Sequence, residues 1–123
     1  MILVDTSIWI DHLRAGNERL STLLVAGQVL SHPFVFGELA LGNLVRRTEV
    51  VATMQDLPQI RLATEAEVLH AIANRHWYAQ GIGYTDAHLL AAVLLTPGSS
   101  LWTRDKRLHA AASRLGVAAS ATH

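Results

Sequence analysis

The sequence predicts an α/β fold, specifically a three-layer α/β/α domain with a mainly parallel central sheet. Short strand-like apolar runs alternate with longer helical segments along the whole chain. Recognisable helix-start and helix-stop residues separate them. With 123 residues, half of them apolar, the chain reads as a single domain over 1–123, without repeats, low-complexity tracts or linkers.

Ile2-Leu3-Val4 reads as a short buried strand, and Thr6 or Ser7 can cap a helix reaching about Leu13, with Asp11 and Arg14 paired on its outer side. Gly16-Asn17 breaks the chain, and Asn17 caps a second helix, "ERLSTLLVA", that stops at Gly27. "QVLSH" is a second strand. Pro33 stands at a first helical position, where its missing N–H costs nothing, and opens the apolar helix "FVFGELALGNLVRR". A further helix covers Thr48 to Gln55 and ends near Pro58, and "QIRLA" can add a third strand. "TEAEVLHAIANRHWYAQ" is the clearest helix, with Thr64 and Glu67 as a capping box and Gly81 as its stop. Another starts near Thr85 and ends at Pro97-Gly98. "SLWT" is a strand, the last helix runs from Asp105 to Gly116, and "VAASA" is a closing strand.

Composition narrows the function less than the pattern does. Ten acids balance ten bases, so net charge neither favours nor excludes a nucleic-acid partner. Nine of the bases are arginine and only Lys106 is lysine, a bias that compositional drift explains as well as phosphate binding does. There is no cysteine, which excludes disulfides and thiolate metal sites and fits a reducing compartment. No basic segment precedes the opening apolar run, so it does not read as a signal peptide. The run "LLAAVLL" is far short of the ~20 residues that span a bilayer. The expectation is a soluble, cytoplasmic protein without a membrane partner.

Four acids stand where ordinary surface charges do not. Glu38 has Phe34, Val35, Leu41 and Gly42 as its helical neighbours, which aims it along an apolar stripe where an unpaired carboxylate is costly. Asp86 is followed on one face by Leu89, Leu90 and Val93. Asp5 and Asp105 follow "ILV" and "LWT", at the carboxyl ends of strands, where open α/β sheets put their ligand crevices. Each has a plain alternative. Capping explains Asp5 or Asp105 taken singly, the helix dipole explains Asp86, and Glu38 can pair with a buried arginine. Gathered together, four ionised carboxylates need a cation or a proton, since two at about 4 Å repel by roughly 4 kcal/mol at an effective dielectric of 20. All-oxygen ligands suit Mg²⁺ or Mn²⁺ rather than zinc.

The segments "ILVDTSIWID", "FVFGEL", "GYTDAHLLAA" and "LWTRDKRL", in this order and spacing, resemble the four motifs of the PIN domain. More narrowly they are similar to the VapC toxins of bacterial VapBC toxin–antitoxin pairs, and the resemblance covers essentially the whole chain. It implies a metal-dependent endoribonuclease in which Asp5, Glu38, Asp86 and Asp105 hold Mg²⁺ or Mn²⁺. Thr6 and Thr103 match hydroxyl positions that flank such sites, although capping or β-propensity explains them equally. The resemblance also implies an RNA substrate, a VapB-type antitoxin seated on helices of the amino-terminal half, and a homodimer. Trp9, Trp77 and Tyr78 are candidates for interface aromatics or buried anchors.

Two other classes stay open. One is a PIN-like domain that only binds partners. The other is a metal-independent nuclease built on histidines, although His12, His32, His70, His76, His88, His109 and His123 show no HxxxH spacing with a carboxylate. Receiver and haloacid-dehalogenase chemistries fail on one residue pair, because Asp5 is followed by Thr6 and Ser7 where they need a second acid.

Overall fold

The centre of the fold is β1 (Ile2–Val4), flanked by two parallel neighbours in a computed structural model that describes residues 1–119. Sheet order is β2-β1-β3, with β2 at Val29–Leu30 and β3 at Ser100–Trp102. Leu3, Val4, Val29 and Leu101 are fully or almost fully buried, as expected for a parallel sheet covered on both faces. Fully burying each such side chain contributes about 1.5–3 kcal/mol.

Between the strands run α1 (Thr6–Ala15), α2 (Glu18–Val25), α3 (Pro33–Leu41), α4 (Arg47–Asp56), α5 (Glu65–Asn74) and α6 (Tyr84–Leu94), and α7 (Lys106–Arg114) follows β3. Parallel strands require such crossovers. In α6 every residue from Ala87 to Val93 is buried, so this helix is hydrophobic all round and belongs to the core. The capping box of α5 is present as expected: Glu67 N donates to Thr64 Oγ1 at 3.1 Å and Thr64 N to Glu67 Oε1 at 2.9 Å. These bonds hold the Glu67 carboxyl below its usual range. Asn17 caps α2 through Leu20 N, also as expected. No helix among the described residues is long and apolar enough to cross a membrane.

Several boundaries differ from the sequence reading. The helix expected over Phe34 to Arg47 is two helices, because α3 stops at Leu41 and Gly42 N donates back to Leu39 O. Gly42-Asn43 is a poor helix-forming pair, and the chain turns through a left-handed Arg46 (φ 57) before α4. The helix expected to run to Gln80 ends at Asn74. His76 is left-handed at φ 57, and a 3-10 turn, Trp77–Ala79, follows. That break lets Trp77 enter the core at 3 % exposure, which a continuous helix would have turned elsewhere.

"QIRLA" contributes one parallel bridge, Ser31 to Gln59, rather than a strand. "VAASA" contributes one bridge, Leu101 to Ala118, and its last residues lie outside the described ones. Asp11 pairs with Arg104, not with Arg14. The N-cap of α1 is Asp5, one residue earlier than expected. Trp9 is buried like Trp77, whereas Tyr78 is 70 % exposed.

Candidate active site

Register builds the first half of the site. Val4 pairs with Trp102 in the parallel ladder, and Asp5 N donates to Trp102 O at 2.9 Å. Asp5 therefore lies next to Thr103 at the carboxyl end of the sheet, and Thr103 Oγ1 donates to Asp5 Oδ2 at 2.7 Å in a buried contact. Ser7 Oγ donates to the same oxygen at 3.0 Å, while Asp5 Oδ1 accepts from Thr6 N at 2.8 Å. Asp5 is 8 % exposed, and these donors compensate its desolvation.

Thr6 thus supplies its backbone N–H to Asp5. The hydroxyl that reaches the carboxylate from this turn is that of Ser7, which the sequence reading treated only as a cap. Ser7 Oγ also accepts from Arg104 N at 3.2 Å, tying the start of α1 to the turn after β3.

Asp105 occupies the corresponding position after β3. Its Oδ1 accepts from Arg107 N at 2.9 Å and Leu108 N at 3.0 Å, capping α7, and its own N donates to Thr103 Oγ1 at 3.0 Å. Capping and site membership are therefore compatible for Asp5 and Asp105. A carboxylate that caps with one oxygen keeps a second, and no hydrogen bond is made to Asp105 Oδ2 among the described residues.

Asp86, in the first turn of α6, brings the remaining acids into one field. Burial pushes its carboxyl up to about 6, and the nearby negative charges of Asp5, Asp105 and Glu38 push in the same direction. A backbone hydrogen bond with Gly83 opposes them. Asp86 is thus close enough to feel the acids of three other stretches. The four are not, however, already drawn to coordination distance, since no group of three or more His, Cys, Asp or Glu side chains among the described residues is spaced to hold a metal ion.

Glu38 differs from expectation in one respect. It is exposed, and so are its stripe neighbours Phe34, Leu41 and Gly42. Val35 and Leu39 form the buried face of α3 instead. Glu38 thus faces outward, onto a groove between α1 and the end of α3 lined by Leu13, Arg14, Glu38, Leu44 and Val45.

A second wall of the site is aromatic. The rings of Phe34 and His88 stand 4.8 Å apart edge to face, and those of Tyr84 and His88 4.7 Å apart. His32, 2 % exposed, accepts from Phe34 N through Nδ1 at 2.9 Å and so caps α3. Burial, then the proximity of His88, pulls the His32 imidazole down to about 4. A neutral, buried His32 is unsuited to protonating a leaving group. A capping histidine has no sequence signature comparable to that of Ser, Thr, Asp or Asn, which is why its role was not anticipated.

Strand-end acids on a parallel three-stranded sheet, with further acids from α3 and α6, invite comparison with known folds. The family described as PIN domain matches residues 2–114. The chain belongs to the PIN-domain family. Within it, this PIN domain is 48 % identical over 118 residues to "Ribonuclease VapC32" of Mycobacterium tuberculosis, in strains CDC 1551 / Oshkosh and ATCC 25618 / H37Rv. The match covers 96 % of this chain and 95 % of the relative, so the likeness to VapC-type PIN domains extends over nearly the full length of both. The crystal structure of FitAcB from Neisseria gonorrhoeae shares the PIN fold at a TM-score of 0.63 and 19 % identity, covering 92 % of this chain and 94 % of that one.

The donor set fits a hard divalent ion. Carboxylate oxygens from Asp5, Glu38, Asp86 and Asp105, with hydroxyls at Ser7 and Thr103, offer only oxygen. Asp86 is raised first by burial and then by the negative charges of Asp5, Asp105 and Glu38.

Proposed function

We propose that this PIN domain is a Mg²⁺- or Mn²⁺-dependent endoribonuclease and the toxin of a VapBC-type pair. The observation that carries the reading is the common electrostatic field of Asp5, Glu38, Asp86 and Asp105 at the carboxyl end of a parallel sheet. The 48 % identical relative named as a ribonuclease supports RNA as the substrate class. Asp5, Glu38, Asp86 and Asp105 are the residues that would hold the ion. When bound, it supplies Lewis-acid stabilisation of phosphodiester charge and acidifies water at the site.

The chain's own groups do the rest. Thr103 and Ser7 fix the Asp5 carboxylate in one rotamer, the role that outer hydrogen-bond partners play for metal-holding side chains. Asp105 is held by its capping bonds to α7. Glu38, exposed on α3 and beside the groove, is within reach of a partner.

The groove beside Glu38 supports an antitoxin seat. Leu41 and Val45 are each 89 % exposed next to it, and Leu13 is 38 % exposed on its α1 side. Exposed apolar residues at helical spacing suit an amphipathic partner helix. A segment seated there covers the approach to Glu38, which couples partner binding to loss of activity. By contrast α2 turns Leu20, Leu23 and Leu24 towards the core and leaves Val25 outside, so α1 and α3 carry the seat. Homodimerisation and action in the cytoplasm complete the proposal.

Cleavage through activated water leaves 5′-phosphate and 3′-hydroxyl ends. Expressing the chain with and without the neighbouring upstream reading frame, then sequencing 5′-phosphorylated RNA ends, tests this. Ends that appear only without the neighbour support the reading. Products ending in a 2′,3′-cyclic phosphate, or activity that survives EDTA, refute it.

A further inference from the structure

A cleft of ≈ 650 Å³ opens beside Thr103 and shares no lining residue with the groove at Glu38. Asp11, Asn17, Trp102, Lys106 and His109 line it together with Arg104. Trp102, 4 % exposed, contributes to its wall, and the Arg19 guanidinium lies 4.7 Å from the centre of that ring. Lys106 and His109 are three residues apart on α7 and so share a face. Neither side chain engages another described residue by a hydrogen bond or ion pair. Asp11 is the opposing charge, and it engages Arg104.

Two permanent cations, Arg104 and Lys106, thus line the cleft with one carboxylate, Asp11, which engages Arg104. Where these cations lie matters more than their sign. Thr103 belongs to the cleft wall and at the same time holds Asp5, so any strand entering the acid site from this side passes Lys106 and His109. A polyanion approaching four carboxylates is repelled unless cations lie next to them.

We infer that this cleft binds a backbone phosphate of the RNA strand next to the bond being cut, with Lys106 and His109 as its direct donors and Arg104 at its rim. The inference rests on the ribonuclease reading and adds to it the position of the flanking nucleotide. The exposed apolar groove beside Glu38 suits a protein helix. The cleft that carries Lys106 and His109, open onto Thr103, suits a single strand.

The test uses the full chain, a short mixed-sequence single-stranded oligoribonucleotide, and EDTA so that binding is read without cleavage. Dissociation constants over a salt series are compared for wild type, Lys106→Gln, the double variant Lys106→Gln/His109→Gln, and Lys106→Arg, with melting curves to verify folding. The double variant is expected to bind about ten-fold more weakly per lost charge-assisted contact. Its salt dependence should flatten by about 0.7 per lost phosphate contact. Lys106→Arg should bind like wild type. In Mg²⁺ or Mn²⁺, KM should rise while kcat holds. An unchanged dissociation constant and salt slope in the double variant, with cleavage intact, overturns the cleft and leaves the ribonuclease reading standing. A wild-type chain that neither binds nor cuts RNA overturns both. If the double variant melts early, Lys106→Gln alone carries the comparison.

Discussion

Thr103 and Asp5, separated by 98 residues of chain, share a buried hydrogen bond of 2.7 Å. One hydroxyl thereby joins β3 to β1 at their carboxyl ends, orients Asp5, and accepts from the backbone N–H of Asp105. Removing it leaves a buried carboxylate short of a donor. Thr103→Val is expected to lower stability by about 2 kcal/mol in urea unfolding. Activity should fall about ten- to hundred-fold, the usual effect of removing a partner that orients a metal-holding side chain. Thr103→Ser should restore most of both. A Thr103→Val variant with unaltered stability would show that the bond contributes nothing.

The two shifted groups near the site act in opposite directions on stability. The Asp86 carboxyl is raised from 3.8 to about 6, so the folded state binds more protons than the unfolded one between these values. The stability it contributes is present below pH 3.8 and is lost as pH rises through about 6. His32 is lowered from 6.5 to about 4, so its contribution is present above pH 6.5 and lost as pH falls through about 4. In the metal-free chain the two partly cancel between pH 4 and 6.5, and single variants separate them. Asp86→Asn should give a stability that climbs with pH across this window. His32→Asn, which keeps a capping side chain, should give one that declines. Urea unfolding at several pH values reads both slopes, and identical profiles for the two variants would contradict the assignment.

Local signals carried much of this architecture. The apolar triplet Ile2-Leu3-Val4, the Thr64–Glu67 capping box and the Asn17 cap each specify their element within a few residues, and each is realised. What depended on distant partners was not legible. Asp11 has a correctly spaced Arg14 on its own helix, yet Arg104 lies closer once β3 is beside β1. The stripe through Phe34, Glu38 and Leu41 reads as a core face because periodicity reports that a face is apolar, not what covers it. Here that face is exposed, and Glu38 borders an open groove. Trp77 ends a helix early because the core draws it in, a tertiary effect that propensity does not encode. The acids carry no comparable local signal: Asp5 and Asp105 stand at ordinary cap positions and Glu38 is exposed, so only the order and spacing of the four motifs set them apart.

Leu41 and Val45 offer a clean separation of partner binding from catalysis. Both are 89 % exposed, so Leu41→Asp/Val45→Asp should change stability by no more than about 0.5 kcal/mol. RNA cleavage should match wild type, while co-purification with the protein of the upstream reading frame should fail. Retained co-purification would move the antitoxin seat away from this groove.

The central claim is that four carboxylates from separate stretches form one divalent-ion site. Calorimetric titration of Mn²⁺ or Mg²⁺ into the purified chain tests it most directly, alongside Asp5→Asn and Asp86→Asn. Saturable uptake by the wild-type chain that disappears in both variants is the predicted result. No uptake by the wild-type chain, or uptake that both variants retain unchanged, would contradict it.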